Sequence, residues 1–159
     1  TTNKTRYKSI EGKKGEVMAY EQTAVSVDKS QGAIRKLMAA HGATNIAFAS
    51  ALDPLMEVFQ ATVVLEGKPY GIRVAVPIRE PALNRRGRPK IDYEKQTRRV
   101  WRVLYHHMKA TFEAGDSGVI DIRELLLPFL VTKDGRTVGE RIISDMPKML
   151  EAPQKAFMS

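Results

Sequence analysis

Between residues 44 and 78 the chain alternates apolar and polar positions, and beyond residue 92 the apolar positions recur every third or fourth residue. The first rhythm is that of strands and the second that of a helix. LMEVFQATVVLE (55–66) puts Phe59, Ala61, Val63 and Leu65 on one face. YGIRVAVPI (70–78) does the same with Tyr70, Ile72, Val74, Val76 and Ile78, leaving Arg73 on the other. TNIAFASA (44–51) reads as a further strand, and EGKP as the turn that joins the last two. So clean an alternation predicts a sheet with one buried face, as in antiparallel architectures.

Upstream, QTAVSV (22–27) predicts a short strand. Asp28 then offers a helix cap, with Gln31 in the capping-box position. Ile34, Leu37, Met38 and His41 form the apolar stripe of that helix, and Gly42 closes it. Downstream, the spacing predicts a long helix over about 92–114 and a second from Asp121, with Ile122, Leu125, Leu126 and Phe129 apolar and Pro128 kinking or ending it. Asp134-Gly135 marks a tight turn, and Thr137 with Glu140 makes a capping box for a last short helix containing Ile142, Ile143 and Met146.

The order β-α-β-β-β-α-α-α predicts an α+β domain: an antiparallel sheet of about four strands with helices packed on one face. Residues 1–15 read as a basic flexible arm, 16–150 as the single domain and 151–159 as a loose tail.

Charge changes this picture. The 159 residues carry a formal net charge of +8, which points to a polyanionic partner and says nothing of the fold. The excess has a place. Lys95, Arg98, Arg99, Arg102, His106 and Lys109 fall on one side of the long helix, while Val100, Leu104, Met108 and Thr111 fall opposite, with Trp101 and Phe112 at the edge. Neighbouring cations repel, so the stripe destabilises the helix unless something negative answers it. Glu94 and Glu113 answer it in part. Leading into this helix, NRRGRPK (84–90) carries four cations around Gly87 and Pro89, more than a solvated turn needs.

Arg86-Gly87-Arg88-Pro89, flanked by Arg85 and Lys90, resembles the core of an AT-hook. That resemblance implies that Arg86 and Arg88 enter an A/T-rich minor groove, that Gly87 permits close approach, and that Arg85 and Lys90 contact phosphates. A broader stretch, residues 98–142, is similar to small uncharacterised proteins of bacteriophages and prophages. It shares an R-x-W-R-x-L…K-A…E helix (Arg99, Trp101, Arg102, Leu104, Lys109, Ala110, Glu113), an L-L-P segment and a DG-x-T-V-G-E turn (Asp134, Gly135, Thr137, Val138, Gly139, Glu140). This implies a mobile-element origin and no particular activity. Three antiparallel strands followed by a basic helix also resemble, in order alone, the core of single-strand annealing proteins, which form rings on DNA.

Enzyme readings find little purchase. Adjacent His106 and His107 point about 100° apart and cannot share an ion, and His107 is expected to be buried and hydrogen-bonded on the apolar side. No Walker A, G-x-S-x-G or G-x-G-x-x-G pattern occurs. Asp53 with Glu66-Gly67-Lys68 matches the loose D…E-x-K spacing of Mg-dependent nucleases, but on a hairpin turn. Asp121 is better explained as a helix cap. The chain has no cysteine, which removes disulfides and thiolate chemistry and fits a reducing compartment.

The expectation is therefore a non-enzymatic nucleic-acid-binding accessory protein of a phage or mobile element, with DNA the favoured partner and replication or recombination the setting. It would need no cofactor, metal or membrane, would act in the bacterial cytoplasm or nucleoid, and could act as a homo-oligomer. The binding residues would be Arg85, Arg86, Gly87, Arg88, Lys90, Lys95, Arg98, Arg99, Arg102 and Lys109. The alternatives are a module that binds a host or phage protein through the same basic surface, and a metal-dependent nuclease.

Overall fold

The computed structural model describes residue 20 and residues 23–52, 55–78, 85–87 and 93–150. The expected basic arm and C-terminal tail lie outside the described residues, apart from the chain that follows them inward. Three strands, β1 (Thr44–Leu52), β2 (Leu55–Leu65) and β3 (Lys68–Pro77), form one antiparallel sheet in the order β1-β2-β3.

Among the described residues the count is three strands, not about four. No strand forms in the described part of the expected segment 22–27: residues 23–26 are irregular and Val27 already opens helix α1 (Val27–Ala40). The cause is the cap. Ser26, not Asp28, accepts the Lys29 N–H at 3.2 Å, so the helix claims the end of the alternating segment and leaves too little of it to pair. At the other end of α1, Gly42 N–H donates to Ala39 O and Ala43 N–H to Met38 O, a Schellman closure that leads straight into β1.

The β2–β3 turn is Glu66-Gly67, with φ of 49° and 75°. Two consecutive positive φ values are those of a type I′ turn, whose twist matches that of the strands it joins. Its register pairs Ala61 with Ile72 and Phe59 with Val74, so the alternating apolar sets share one face. β1 joins through Phe48 opposite Phe59. Between Thr44 and Ala47 its register slips by one residue: Asn45 and Ile46 together oppose Ala61. Asn45 takes the left-handed conformation this bulge needs (φ 51°) and donates to Thr62 Oγ1. The extra residue sends Thr44 to the outer face while Ile46 and Phe48 stay on the inner one.

Helices cover that inner face. The 24-residue α2 (Tyr93–Asp116) buries Thr97, Trp101, Leu104, Met108 and Thr111, a stripe of alternating four- and three-residue steps, with Phe112 beside it four residues after Met108. Trp101 is at its centre, wholly buried and set edge-on against Phe48 at 5.3 Å between centroids. The two threonines are tolerated there because each hydroxyl donates to the carbonyl four residues back, Tyr93 O and His107 O. Ile34 and Met38 of α1 and Leu126 of α3 (Ile122–Leu126) complete the core. Among the described residues Glu57 is the one charged side chain buried with them, held by Ser50 Oγ at 2.7 Å and Tyr93 Oη at 3.4 Å.

After α3 a single 3-10 turn (Leu127–Phe129) carries Pro128. Leu130 then bridges Ile72 of β3, where Val131 N–H donates to Gly71 O at 2.8 Å, and Val131 itself bridges Thr137. Thr137 and Glu140 form the expected capping box at the start of α4 (Val138–Ile143). Gly139 must be glycine, because a Cβ there would stand 2.9 Å from the Pro128 carbonyl oxygen. The last helix is two pieces, α4 and α5 (Met146–Met149), and Ile142, Ile143 and Met146 are exposed.

Candidate nucleic-acid interface

Residues 93 to 116 are one uninterrupted helix, so the 100° step places Lys95, Arg98, Arg99, Arg102, His106 and Lys109 on a single arc opposite the buried stripe. That arc has a pattern of its own. Near its N-terminal end Glu94 pairs with Arg98 at 3.1 Å, and near its C-terminal end Glu113 pairs with Lys109 at 3.7 Å. These are the compensations expected from the spacing, and both are i,i+4 pairs on a surface, worth about 0.5 kcal/mol or less. Among the described residues no carboxylate pairs with Lys95 or Arg102. Arg99 is half-buried on the same arc.

The middle of the arc is answered by rings instead. The Arg102 guanidinium lies 5.0 Å from the centroid of Tyr105, a cation–π arrangement. Tyr105 meets His106 edge-on at 5.0 Å. His106 in turn stacks flat against Tyr20, with centroids 4.8 Å apart and planes 3° from parallel. Tyr20 is held in a turn at φ 59°, its carbonyl accepting the Thr23 N–H at 3.1 Å. Burial of the ring, then the nearby Arg102 and Lys109, push the His106 pKa below its ordinary 6.5, so the ring is neutral at neutral pH.

Arg85, Arg86 and Gly87 form an exposed turn ahead of α2, with Gly87 at φ 70°. Arg88 and Lys90 lie outside the described residues, as does the D…E-x-K aspartate, Asp53. The Glu66 of that pattern sits in the β2–β3 turn and accepts from Arg123 at 2.5 Å. His107, expected inside, is exposed; its ring edge touches Phe129 at 5.8 Å. It misses the core because the buried stripe is centred on Trp101, Leu104 and Met108, which turns His107 toward the rim. Trp101 itself has no surface to offer a base.

Sequence reasoning placed the cations correctly on one helix face but passed over the aromatic residues among them. Arg102 and Tyr105 stand at i,i+3, a spacing that predicts contact on a helix. Tyr20 carries no such signal, because its partner is far along the chain and the contact exists only once the fold has formed.

Elsewhere Arg35 also meets a ring, lying 5.1 Å from the Phe48 centroid and donating to Ile46 O at 3.2 Å, whereas four other arginines are paired with carboxylates. Arg73 pairs with Glu140 at 3.2 Å, Arg123 with Asp121 and Glu66 at 2.5 Å each, and Arg136 and Arg141 with Asp134 at 3.4 and 3.8 Å. Away from the arc, His41 caps α1: its Nδ1–H donates to Leu37 O at 2.9 Å and its Nε2–H to Asp116 Oδ2 at 2.8 Å. Two acceptors on one ring favour the imidazolium, so its pKa is raised, by the Asp116 hydrogen bond first and the Leu37 carbonyl second. No helix among the described residues is long and apolar enough to cross a membrane. Comparison with protein-family models, with curated proteins and with solved structures found no match.

Proposed function

We propose that this chain is a nucleic-acid-binding accessory protein, non-enzymatic and of phage or mobile-element origin, that holds its ligand chiefly by phosphate contacts. DNA is the favoured ligand, and replication or recombination the process it serves. The reading is supported above all by the outer arc of α2, where Lys95 and Arg102 have no carboxylate partner among the described residues while Arg73, Arg123, Arg136 and Arg141 do. Lys95, Arg98, Arg99, Arg102 and Lys109 supply a path of positive charge along the helix, and phosphates neutralised there would release counterions. Arg85 and Arg86 extend the path in the exposed turn before the helix, with Arg88 and Lys90 beside them in sequence. Selectivity among sequences would be weak, since phosphate contacts carry none.

The test is direct. Fluorescence anisotropy of labelled single-stranded and duplex oligonucleotides, titrated with the full chain at low salt, should show saturable binding. A plasmid incubated with the protein and Mg²⁺ or Mn²⁺ should stay intact; nicking would favour the nuclease instead. One observation favours a protein partner as the second reading: Ile142, Ile143, Met146, Met149 and Leu150 expose apolar surface on α4, α5 and the residue that follows. Absence of any nucleic-acid binding at low salt would bring that reading forward.

A further inference from the structure

Phosphate contacts explain the cations of the arc and leave its rings unexplained. A helix face that only tracks a backbone needs no aromatic column, yet Arg102, Tyr105, His106 and Tyr20 form one in which each ring or guanidinium touches the next. The column runs from the border of the core outward. Tyr105 packs against the core cluster, His106 is half-buried, and Tyr20, the outermost, leaves 41% of its surface exposed. Arg102 and Lys109 flank His106 at i−4 and i+3 on the helix, so phosphates bound by these cations would lie beside the column.

From this geometry we infer that Tyr20, backed by His106, is a stacking platform for an unpaired base, so that the ligand of the arc is single-stranded nucleic acid. The inference rests on the nucleic-acid reading above and narrows it. Three physical points carry it. First, Tyr20 lies flat on His106, so one ring face is already supported, while the residue leaves 41% of its surface exposed and its backbone is tied to Thr23 before any ligand arrives. A preordered ring loses little freedom when a base stacks on it. Second, every base has a π face, so stacking tolerates any sequence, in keeping with a surface that otherwise reads only phosphates. Third, a duplex keeps its bases stacked on one another and offers a phosphate ridge nothing but its backbone, whereas a single strand can place a base on the ring and a neighbouring phosphate on Arg102 or Lys109. A neutral His106 suits the role, because a charged ring between Arg102 and Lys109 would add a third repelling cation.

The full chain is titrated against oligo(dT), oligo(U) and a duplex of equal length, as wild type, Tyr20→Ala and Tyr20→Trp. Wild type should prefer the single strands, and the two single-stranded probes separate DNA from RNA as the ligand. Tyr20→Ala should weaken single-strand binding about tenfold or more and leave duplex binding and the salt dependence unchanged. Tyr20→Trp should restore it. Irradiation of an iodouracil-bearing single strand should place the crosslink on Tyr20. If wild type binds but Tyr20→Ala loses nothing, or loses single-strand and duplex binding alike, the platform is overturned while phosphate binding stands. If wild type binds no probe, both readings fall together. Tyr20 lies outside the core cluster, so the alanine variant should fold, and an unchanged melting curve verifies that.

Discussion

Two regions of the molecule use arginine in opposite ways. On the outer arc of α2, Arg102 faces a ring and Lys95 meets no described carboxylate. In the segment from Asp121 to Arg141, each of Arg123, Arg136 and Arg141 is tied to an aspartate close by in sequence. The acid side of those pairs shows the coupling. Hydrogen bonds from Arg123 hold the Asp121 carboxyl down at about 2, and those from Thr132 and then the Arg136 backbone hold Asp134 at about 2. The two segments hold similar numbers of cations, five in Tyr93–Asp116 and four in Asp121–Arg141, but the first has three carboxylates and the second four, so the first is basic and the second neutral. What differs further is whether the cation is held by an aspartate close by in sequence, as Arg123, Arg136 and Arg141 are, or faces a ring, as Arg102 does. A cation already held by an internal carboxylate gains less from a phosphate, since the existing partner must first be displaced.

The largest expected effect tests that difference. Reversing Arg99, Arg102 and Lys109 together to Glu should reduce affinity for a single strand by about a hundredfold or more, since three phosphate contacts turn repulsive. Reversing Arg136 and Arg141 should change it by about twofold or less. Equal losses, read by anisotropy at one salt concentration, would erase the contrast between the regions.

A cap substitution sharpens the contrast from the other side. Thr137→Ala removes half of the capping box, and should cost about 1 kcal/mol in urea denaturation while leaving nucleic-acid affinity as it was.

Acid comes next. The carboxyls of Asp121 and Asp134 titrate at about 2 in the fold against 3.8 when unperturbed. Over that window the unfolded chain binds more protons, so their contribution is present above the unperturbed pKa and is lost as pH falls from about 4 to about 2. Asp134→Asn should flatten part of this decline in melting temperature.

The smallest effect is expected at His41, whose raised pKa has the opposite sign. Its contribution is full below 6.5 and fades as pH rises through the higher folded value. His41→Gln should therefore lower the melting temperature more at about pH 6 than at about pH 9.

Much of the fold was legible because period and turn chemistry agreed. The alternation of 55–66 and 70–78 gave two strands of one hairpin, and Glu66-Gly67 closes it. The Thr137–Glu140 box appears as read. The misreadings have a common source. At 22–27 the local alternation was real, but Ser26 capped a helix that overrode it. At His107 the position falls toward the apolar side of the helix, but the buried stripe is centred on Trp101, Leu104 and Met108 and leaves His107 exposed at its rim. Local pattern shows which residues could be inside; only the tertiary arrangement supplies something to bury them against. Of the candidate site, the arc of cations follows from helix geometry, whereas the Tyr20–His106 contact spans the chain and had no sequence signal.

Everything proposed for the site depends on the arc meeting phosphates, and the salt dependence of binding measures that most directly. The logarithm of the wild-type association constant for a single strand should fall linearly with the logarithm of salt concentration, with a slope between about −2 and about −3.5, matching three to five neutralised phosphates. A slope near zero, or no binding even at low salt, would contradict it.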